Sequence, residues 1–124
     1  MTLGKVMVVD DEPDVRQLLG DFLGSRGYEV FLAADGLAAV SQLDVYKPDL
    51  VLLDVAMPGM DGVETLRQIS MIAPATRVIM VTANTDISLT SRLLALGAVD
   101  YIPKPFDLDY LEQAVTIQLA SQDR

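Results

Sequence analysis

The stretch LVLLD, from Leu50 to Asp54, places four consecutive apolar residues directly before an aspartate. An apolar run without alternation is typical of a central parallel strand, because helices cover both of its faces. The run from Lys5 to Val9 contains VMVV and has the same character, and it is followed by Asp10 and Asp11. The two runs predict interior strands whose carboxyl ends carry acidic side chains.

Short apolar runs recur along the chain between segments of helical periodicity. The predicted strands are Lys5 to Val9, Glu29 to Ala33, Leu50 to Leu53, Arg77 to Val81 and Val99 to Ile102. This alternation indicates a parallel sheet with helices on its faces. We expect an α/β fold with a flavodoxin-like, doubly wound five-stranded parallel sheet of order 2-1-3-4-5, flanked by five helices. A ligand should then lie at the carboxyl ends of the first and third strands.

The predicted helices carry recognisable signals. The apolar face of the first is predicted to consist of Val15, Leu18, Leu19, Phe22 and Leu23. Asp61 and Glu64 have capping-box spacing at the start of the third, which should end before Pro74. The segment DISLTSRLLALG, which contains the fourth, is rich in serine, threonine and β-branched residues, so this helix should be among the less stable elements.

Length and composition limit the chemistry that the chain can perform. With 124 residues we expect a single domain over positions 1–124 and no effector domain, and 51% hydrophobic residues suffice for an ordinary core. The sequence contains no cysteine and no histidine, which excludes disulfides, thiolate metal sites and imidazole catalysis. Any chemistry must use carboxylates, hydroxyls, lysine or the backbone.

Charge and hydropathy narrow the partners further. Nine basic residues against eighteen acidic ones give a net charge of −9, which disfavours direct nucleic-acid binding. No stretch approaches the roughly 20 apolar residues of a membrane span, and the N-terminus lacks the features of a signal peptide. A cytoplasmic protein without membrane association is the expectation.

Polar side chains follow four of the predicted strands. Asp10 and Asp11 follow the first strand, Asp54 the third, Thr82 the fourth and Lys104 the fifth. The carboxyl ends of parallel strands meet at one edge of a sheet, so we expect these side chains to lie together. A single aspartate after a strand is commonly only a helix cap, but the convergence of all five favours a functional site.

The three carboxylates at this edge require a cation. Two carboxylates about 5 Å apart repel each other by roughly 3 kcal/mol at an effective dielectric constant of about 20. Oxygen ligands indicate a hard ion, and a few carboxylates that leave positions to water or phosphate suit Mg²⁺ better than a closed Ca²⁺ cage does. The sequence therefore predicts a Mg²⁺ site, with Mn²⁺ as a substitute.

Asp54 is the predicted nucleophile, because it ends the central strand between the acids of the first strand and the partners from the last two. An aspartate carboxylate can attack phosphorus to form an acyl phosphate. The hydroxyl of Thr82 and the ammonium of Lys104 would then hold the phosphoryl oxygens. These roles follow from the positions of the residues at the predicted sheet edge.

Rival sites on the same architecture lack required residues. The chain has no GxxxxGK[ST] motif for a nucleoside triphosphate and no GxGxxG motif for a dinucleotide. The acidic segment DDEPD stands where a flavin site needs a loop of small and hydroxyl residues. Ala56 stands where a haloacid-dehalogenase-type phosphatase has a second aspartate.

Four segments match a known family: VMVVDDEP, LVLLDVAMPGMDG, VIMVTAN and GAVDYIPKPF. Over its whole length the chain resembles the receiver domain of bacterial two-component response regulators. The resemblance implies that Asp10, Asp11, Asp54 and the backbone carbonyl of Ala56 hold Mg²⁺. It also implies that Asp54 is the phosphoacceptor.

The resemblance further implies a conformational switch. In that family Thr82 and Lys104 would contact the phosphoryl group, and Tyr101 would be the aromatic residue whose ring turns inward when Thr82 moves. The position of Tyr101 alone is equally compatible with an ordinary half-buried core aromatic. Pro105 matches a proline that often follows a cis peptide bond. Phosphorylation is expected to remodel the face formed by the fourth helix, fifth strand and fifth helix.

The leading functional prediction is a signalling phosphoacceptor that catalyses only its own phosphorylation and dephosphorylation. Because the chain has no histidine, a phosphohistidine donor must come from a sensor histidine kinase or a histidine phosphotransfer protein. A downstream effector and a second copy of the chain are further candidate partners. Two alternatives are a phosphorylation-independent interaction domain of the same fold and a small Mg²⁺-dependent phosphatase.

Overall fold

The computed structural model describes residues 2–56, 61–83 and 86–120. Five strands alternate with five helices along the chain. The strands are β1 (Lys5–Val9), β2 (Glu29–Ala33), β3 (Leu50–Asp54), β4 (Arg77–Thr82) and β5 (Asp100–Pro103). The helices are α1 (Pro13–Ser25), α2 (Gly36–Tyr46), α3 (Gly62–Ile72), α4 (Ile87–Ala95) and α5 (Leu108–Ala120).

All strands pair in parallel in the order β2-β1-β3-β4-β5, which confirms the predicted fold and strand order. Every residue of β3 is buried, as its uninterrupted apolar run predicts. β1 lies between β2 and β3 in the sheet. β1 and β3 are therefore neighbouring interior strands, and their carboxyl ends lie side by side.

Two hydrophobic clusters cover the two faces of the sheet. One contains Leu19 and Leu23 of α1 with Leu111 and Val115 of α5. The other contains residues of α2, α3 and α4, among them Leu93, the one fully buried side chain that α4 contributes. Each face of the sheet is therefore covered by apolar side chains, and polar groups lie at the strand ends.

The strand boundaries differ slightly from the sequence prediction. β3 and β4 extend by one residue each, so that Asp54 and Thr82 belong to the strands that they were expected to follow. β5 runs one position later than predicted. Pro103 can end β5 because an edge strand needs no N–H donor on its open side.

The prediction for Leu18 of α1 is wrong, because 49% of its surface is exposed. Leu19 and Leu23 form the buried stripe, with Val15 and Phe22 packed at its margins. The stripe in contact with the sheet is thus narrower than the five apolar residues indicated. Asp61 caps α3 as predicted, since its carboxylate accepts a hydrogen bond from the Glu64 N–H at 2.8 Å, while the Glu64 carboxylate accepts from Gln68 at 3.0 Å.

Candidate functional site

The edge of the sheet at the carboxyl ends of β1, β3 and β4 holds three buried polar side chains. Asp10 follows β1 and is 3% exposed, while Asp54 and Thr82 end their strands at 5% and 3%. The register places Asp54 opposite Val81, one residue before Thr82. The fold thus delivers these three side chains to one edge, as predicted from the sequence.

Lys104 joins this edge from the loop after β5. Its ammonium nitrogen lies 3.0 Å from Oδ2 of Asp10 and 3.6 Å from Oδ2 of Asp54. The main chain fixes the approach of this lysine, because its N–H donates to the carbonyl of Thr82 at 2.8 Å. The following peptide bond, Lys104-Pro105, is cis, as the resemblance implied. One cation therefore faces the carboxylates at the ends of β1 and β3.

The carboxylate of Asp54 is held from two sides. Oδ1 accepts a hydrogen bond from the Ala56 N–H at 3.2 Å, while Oδ2 faces Lys104. Burial raises the pKa of this carboxyl above its ordinary value of 3.8, and the negative charge of Asp10 raises it further. The Lys104 ammonium and the Ala56 N–H act in the opposite direction without cancelling the rise. The surroundings of Asp54 therefore contain too little positive charge for a fully stabilised carboxylate.

The charge of Lys104 is stabilised by the same cluster. Burial lowers the pKa of the ammonium, but the hydrogen bond to Asp10 and the negative charges of Asp10, Asp54 and Glu12 outweigh burial. The pKa of Lys104 is consequently raised above 10.5. Lys104 remains a cation throughout the physiological pH range.

Three consecutive carboxylates converge beside this ion pair. One oxygen each from Asp10, Asp11 and Glu12 lie within 4.8 Å of one another in the described part of the chain. Asp11 and Glu12 are exposed, whereas Asp10 is buried. Carboxylate oxygens are the donors that Mg²⁺ prefers, and the raised pKa of Asp54 indicates that more positive charge would be favourable here. The donor set therefore fits a hard divalent cation.

Glu12 is a member of this cluster that the sequence analysis did not single out. Its backbone N–H donates to Oδ1 of Asp10 at 2.9 Å, and its carboxylate lies 3.8 Å from the Lys104 ammonium. The signal was present in the sequence, because Glu12 directly follows Asp10 and Asp11. The direction of its side chain, however, depends on the turn between β1 and α1.

Ala56 and Tyr101 are the two remaining residues that the sequence analysis assigned to the site. Ala56 is exposed, and its N–H donates to Asp54. The role of its carbonyl as a metal ligand stays a prediction. Tyr101 is partly buried and packs against the cluster that contains Leu93 of α4. Residues 57–60 of the segment LVLLDVAMPGMDG and residue 84 of the segment VIMVTAN lie outside the described residues.

Gly62 is a further residue whose importance emerges only from the fold. It begins α3, and its N–H donates to the carbonyl of Val55 at 2.9 Å. A Cβ atom at this position would overlap the carbonyl oxygen of Asp54 and would lie 2.5 Å from Cα of Val55. The first turn of α3 therefore packs directly on the backbone of the residue that carries the central carboxylate.

None of the helices in residues 2–56, 61–83 and 86–120 has the length and hydropathy needed to span a membrane.

Comparison with known proteins yields consistent relatives. Sporulation initiation phosphotransferase F of Bacillus subtilis is 40% identical over 111 residues, which are 90% of each chain. Other curated relatives are longer, and the chain spans only 27% to 49% of their length.

Solved structures agree with the fold. A CheY-like response regulator receiver domain protein from Methanospirillum hungatei matches with a TM-score of 0.94 and 28% identity, covering 98% of both chains. CheY of Borrelia burgdorferi, solved as a complex with CheX, BeF3 and Mg²⁺, matches with a TM-score of 0.86 and 34% identity, covering 90% of this chain and 86% of that one.

The family profile described as the response regulator receiver domain matches residues 6–116 of this sequence. This match covers most of the chain and includes the strand ends that carry Asp10, Asp54, Thr82 and Lys104. The chain belongs to the response regulator receiver domain family and is a phosphoacceptor signalling domain of the two-component type.

Proposed function

We propose that Asp54 is the phosphoacceptor of this receiver domain. The observation that carries the proposal is the environment of its carboxylate, which ends a fully buried central strand and has one oxygen fixed by the Ala56 N–H and the other facing Lys104. Both contacts orient the carboxylate. A phosphoryl group arriving from solvent would meet this oxygen pair in a defined position.

The proposed donor is a phosphohistidine of a sensor histidine kinase or of a histidine phosphotransfer protein. A carboxylate oxygen of Asp54 attacks phosphorus, the new O–P bond forms, and the P–N bond to the donor imidazole breaks. The electron pair of that bond leaves with the imidazole, which takes up a proton. The product is an acyl phosphate on Asp54 and a free histidine on the partner.

Asp10 and Asp11 would hold Mg²⁺, together with Asp54 and the carbonyl of Ala56. When bound, Mg²⁺ supplies positive charge that offsets the charge of the transferring group. Glu12 adds a third carboxylate of the β1–α1 turn to the same edge. Mn²⁺ has similar ligand preferences and is the proposed substitute.

Lys104 would bind a phosphoryl oxygen, and Thr82 would offer its hydroxyl from the end of β4. Lys104 already faces Asp54 at 3.6 Å, so a small shift would let the ammonium follow the charge from the carboxylate to the phosphoryl oxygens. Hydrolysis of the acyl phosphate by water at the same site would reset the domain. The domain would in this sense catalyse only its own phosphorylation and dephosphorylation.

We further propose that phosphorylation moves α4. This helix is the shortest in the described chain and buries only Leu93 completely. Tyr101 packs against the cluster that contains Leu93. Thr82 is the last residue of β4, and α4 begins five positions later at Ile87. Movement of Thr82 towards the phosphoryl group would therefore reposition Tyr101 and a weakly anchored helix. The altered face would bind an effector or a second copy of the chain.

The experiment that tests the proposed function is incubation with acetyl phosphate and Mg²⁺, followed by intact-mass measurement. We expect one added phosphoryl group in the wild type and none in Asp54→Asn. The matched control is Asp44→Asn, which changes an exposed aspartate of α2 and should leave phosphorylation intact. No addition to the wild type would favour the phosphorylation-independent interaction domain. Steady turnover of a small phosphate ester would favour the phosphatase.

A cytoplasmic location of this receiver domain is also part of the proposal.

A further inference from the structure

All three oxygens of Asp10 are held by different parts of the chain. Oδ1 accepts the Glu12 N–H at 2.9 Å, and Oδ2 accepts the Lys104 ammonium at 3.0 Å. The carbonyl oxygen accepts a hydrogen bond from Nη1 of Arg16 at 2.7 Å. The first two contacts orient the carboxylate, whereas the third fixes the peptide that joins Asp10 to Asp11.

Arg16 reaches this peptide from the first turn of α1. Its backbone N–H donates to the carbonyl of Glu12 at 3.1 Å, so its main chain starts the helix while its side chain folds back to the end of β1. The guanidinium is partly buried, and a short hydrogen bond from a charged donor is stronger than a neutral one. Arg16 thus closes the turn that carries all three clustered carboxylates.

We propose that Arg16 is a positioning residue of the cation site, acting through the Asp10–Asp11 peptide. With this peptide fixed, the carboxylates of Asp10 and Asp11 leave the backbone in set directions and converge within 4.8 Å together with Glu12. Ligand groups that are held in place by a further shell of contacts bind metal more tightly than mobile ones. The proposal assigns Arg16 a role in metal affinity although its guanidinium forms no ion pair with a carboxylate in the part of the chain that the structure describes.

The sign of the effect distinguishes positioning from charge. Arg16 is a cation near a cation site, so its charge alone would weaken Mg²⁺ binding, and its removal would strengthen binding. Positioning predicts the opposite, because a loosened turn no longer holds the carboxylates together. A residue that only supports the fold would change the stability of the protein without a specific change in Mg²⁺ affinity.

The inference rests on the proposed metal site and is tested by Mg²⁺ titration of the complete chain, monitored by amide NMR shifts. Arg16→Met keeps an apolar stem of similar length and removes both the donor and the charge. We expect about ten-fold weaker Mg²⁺ binding in this variant. Arg16→Lys keeps the charge but replaces the planar guanidinium with a single ammonium group, and we expect about three-fold weaker binding. Arg26→Met is the matched control, because it removes one positive charge just after α1, where Arg26 pairs with Glu112.

Equal or tighter Mg²⁺ binding by Arg16→Met would overturn the proposal. If that variant does not fold, Arg16→Lys decides, and an affinity equal to or above that of the wild type overturns the proposal. A loss in Arg26→Met as large as that in Arg16→Met would also contradict it. Absence of saturable Mg²⁺ binding in the wild type would instead remove the proposed metal site, and the Arg16 role with it. Saturable wild-type binding that Asp10→Asn abolishes would establish the site independently of Arg16.

Discussion

The ammonium of Lys104 lies 3.0 Å from the carboxylate of Asp10, a residue 94 positions earlier in the chain. This contact joins the loop after the edge strand β5 to the end of the interior strand β1. It brings one positive charge to a site whose surrounding carboxylates outnumber it.

Replacing Lys104 with methionine should destabilise the metal-free protein. The variant leaves Asp10 and Asp54 without their shared cation, and we expect a loss of roughly 1–3 kcal/mol in the free energy of unfolding in EDTA. Mg²⁺ should restore stability to Lys104→Met more than it stabilises the wild type, since it relieves the larger repulsion. Urea unfolding with and without Mg²⁺ measures both effects. Lys47→Met, at an exposed lysine, should change neither value.

Asp54→Asn should stabilise the metal-free protein at neutral pH. The folded state raises the pKa of Asp54 above 3.8, so the folded protein binds more protons than the unfolded chain in the window above that value. Stability contributed by this group is therefore lost as pH rises through the window, and the loss persists at pH 7. The asparagine side chain does not ionise, so the variant avoids this loss of stability. The difference between variant and wild type should vanish below pH of about 3.8.

Thermal unfolding in EDTA across this pH range measures that difference. Asp44→Asn serves as control for an amide substitution at an exposed aspartate. A neutral-pH stability of Asp54→Asn below that of the wild type would show that Lys104 and the Ala56 N–H outweigh burial and Asp10.

Gly62→Ala should destabilise the protein and slow phosphorylation. The added Cβ overlaps the backbone of Asp54 and Val55, so α3 or the end of β3 must shift, at a cost of roughly 1–3 kcal/mol. Gly24→Ala is the matched control in α1, where the new Cβ meets no described atom within 4 Å apart from its chain neighbours and the backbone of its own helix. There the same substitution should stabilise by about 0.5–1 kcal/mol. Opposite signs in urea unfolding are expected, and equal signs would contradict the close packing at Gly62.

Binding of beryllofluoride with Mg²⁺ should shift the amide resonances of residues 86–104. We expect this because Thr82 and Tyr101 would transmit the occupied state of Asp54 to α4, whose single fully buried residue anchors it weakly. Resonances of α2, which follows the opposite edge strand β2, should change far less. Unchanged resonances throughout residues 86–104 would rule out the proposed switch.

The sequence predicted the fold and the main site residues because both depend on local patterns. Uninterrupted apolar runs identify β1 and β3, and the aspartates that follow such runs must meet at one sheet edge. The contacts of Arg16 and Gly62 could not be predicted in this way. They depend on how closely α1 and α3 approach the strand ends, which no spacing along the chain encodes. The exposure of Leu18 likewise reflects how α1 is rotated on the sheet.

The most direct test of the account is the position of the phosphoryl group. After phosphorylation with acetyl phosphate and Mg²⁺, borohydride reduces an aspartyl phosphate to homoserine, and peptide mass spectrometry locates the reduced residue. We predict homoserine at position 54 alone, and none in a sample treated with borohydride without prior phosphorylation. Homoserine at Asp10 or Asp11, or phosphorylation without any reducible aspartate, would contradict the assignment of Asp54 as phosphoacceptor.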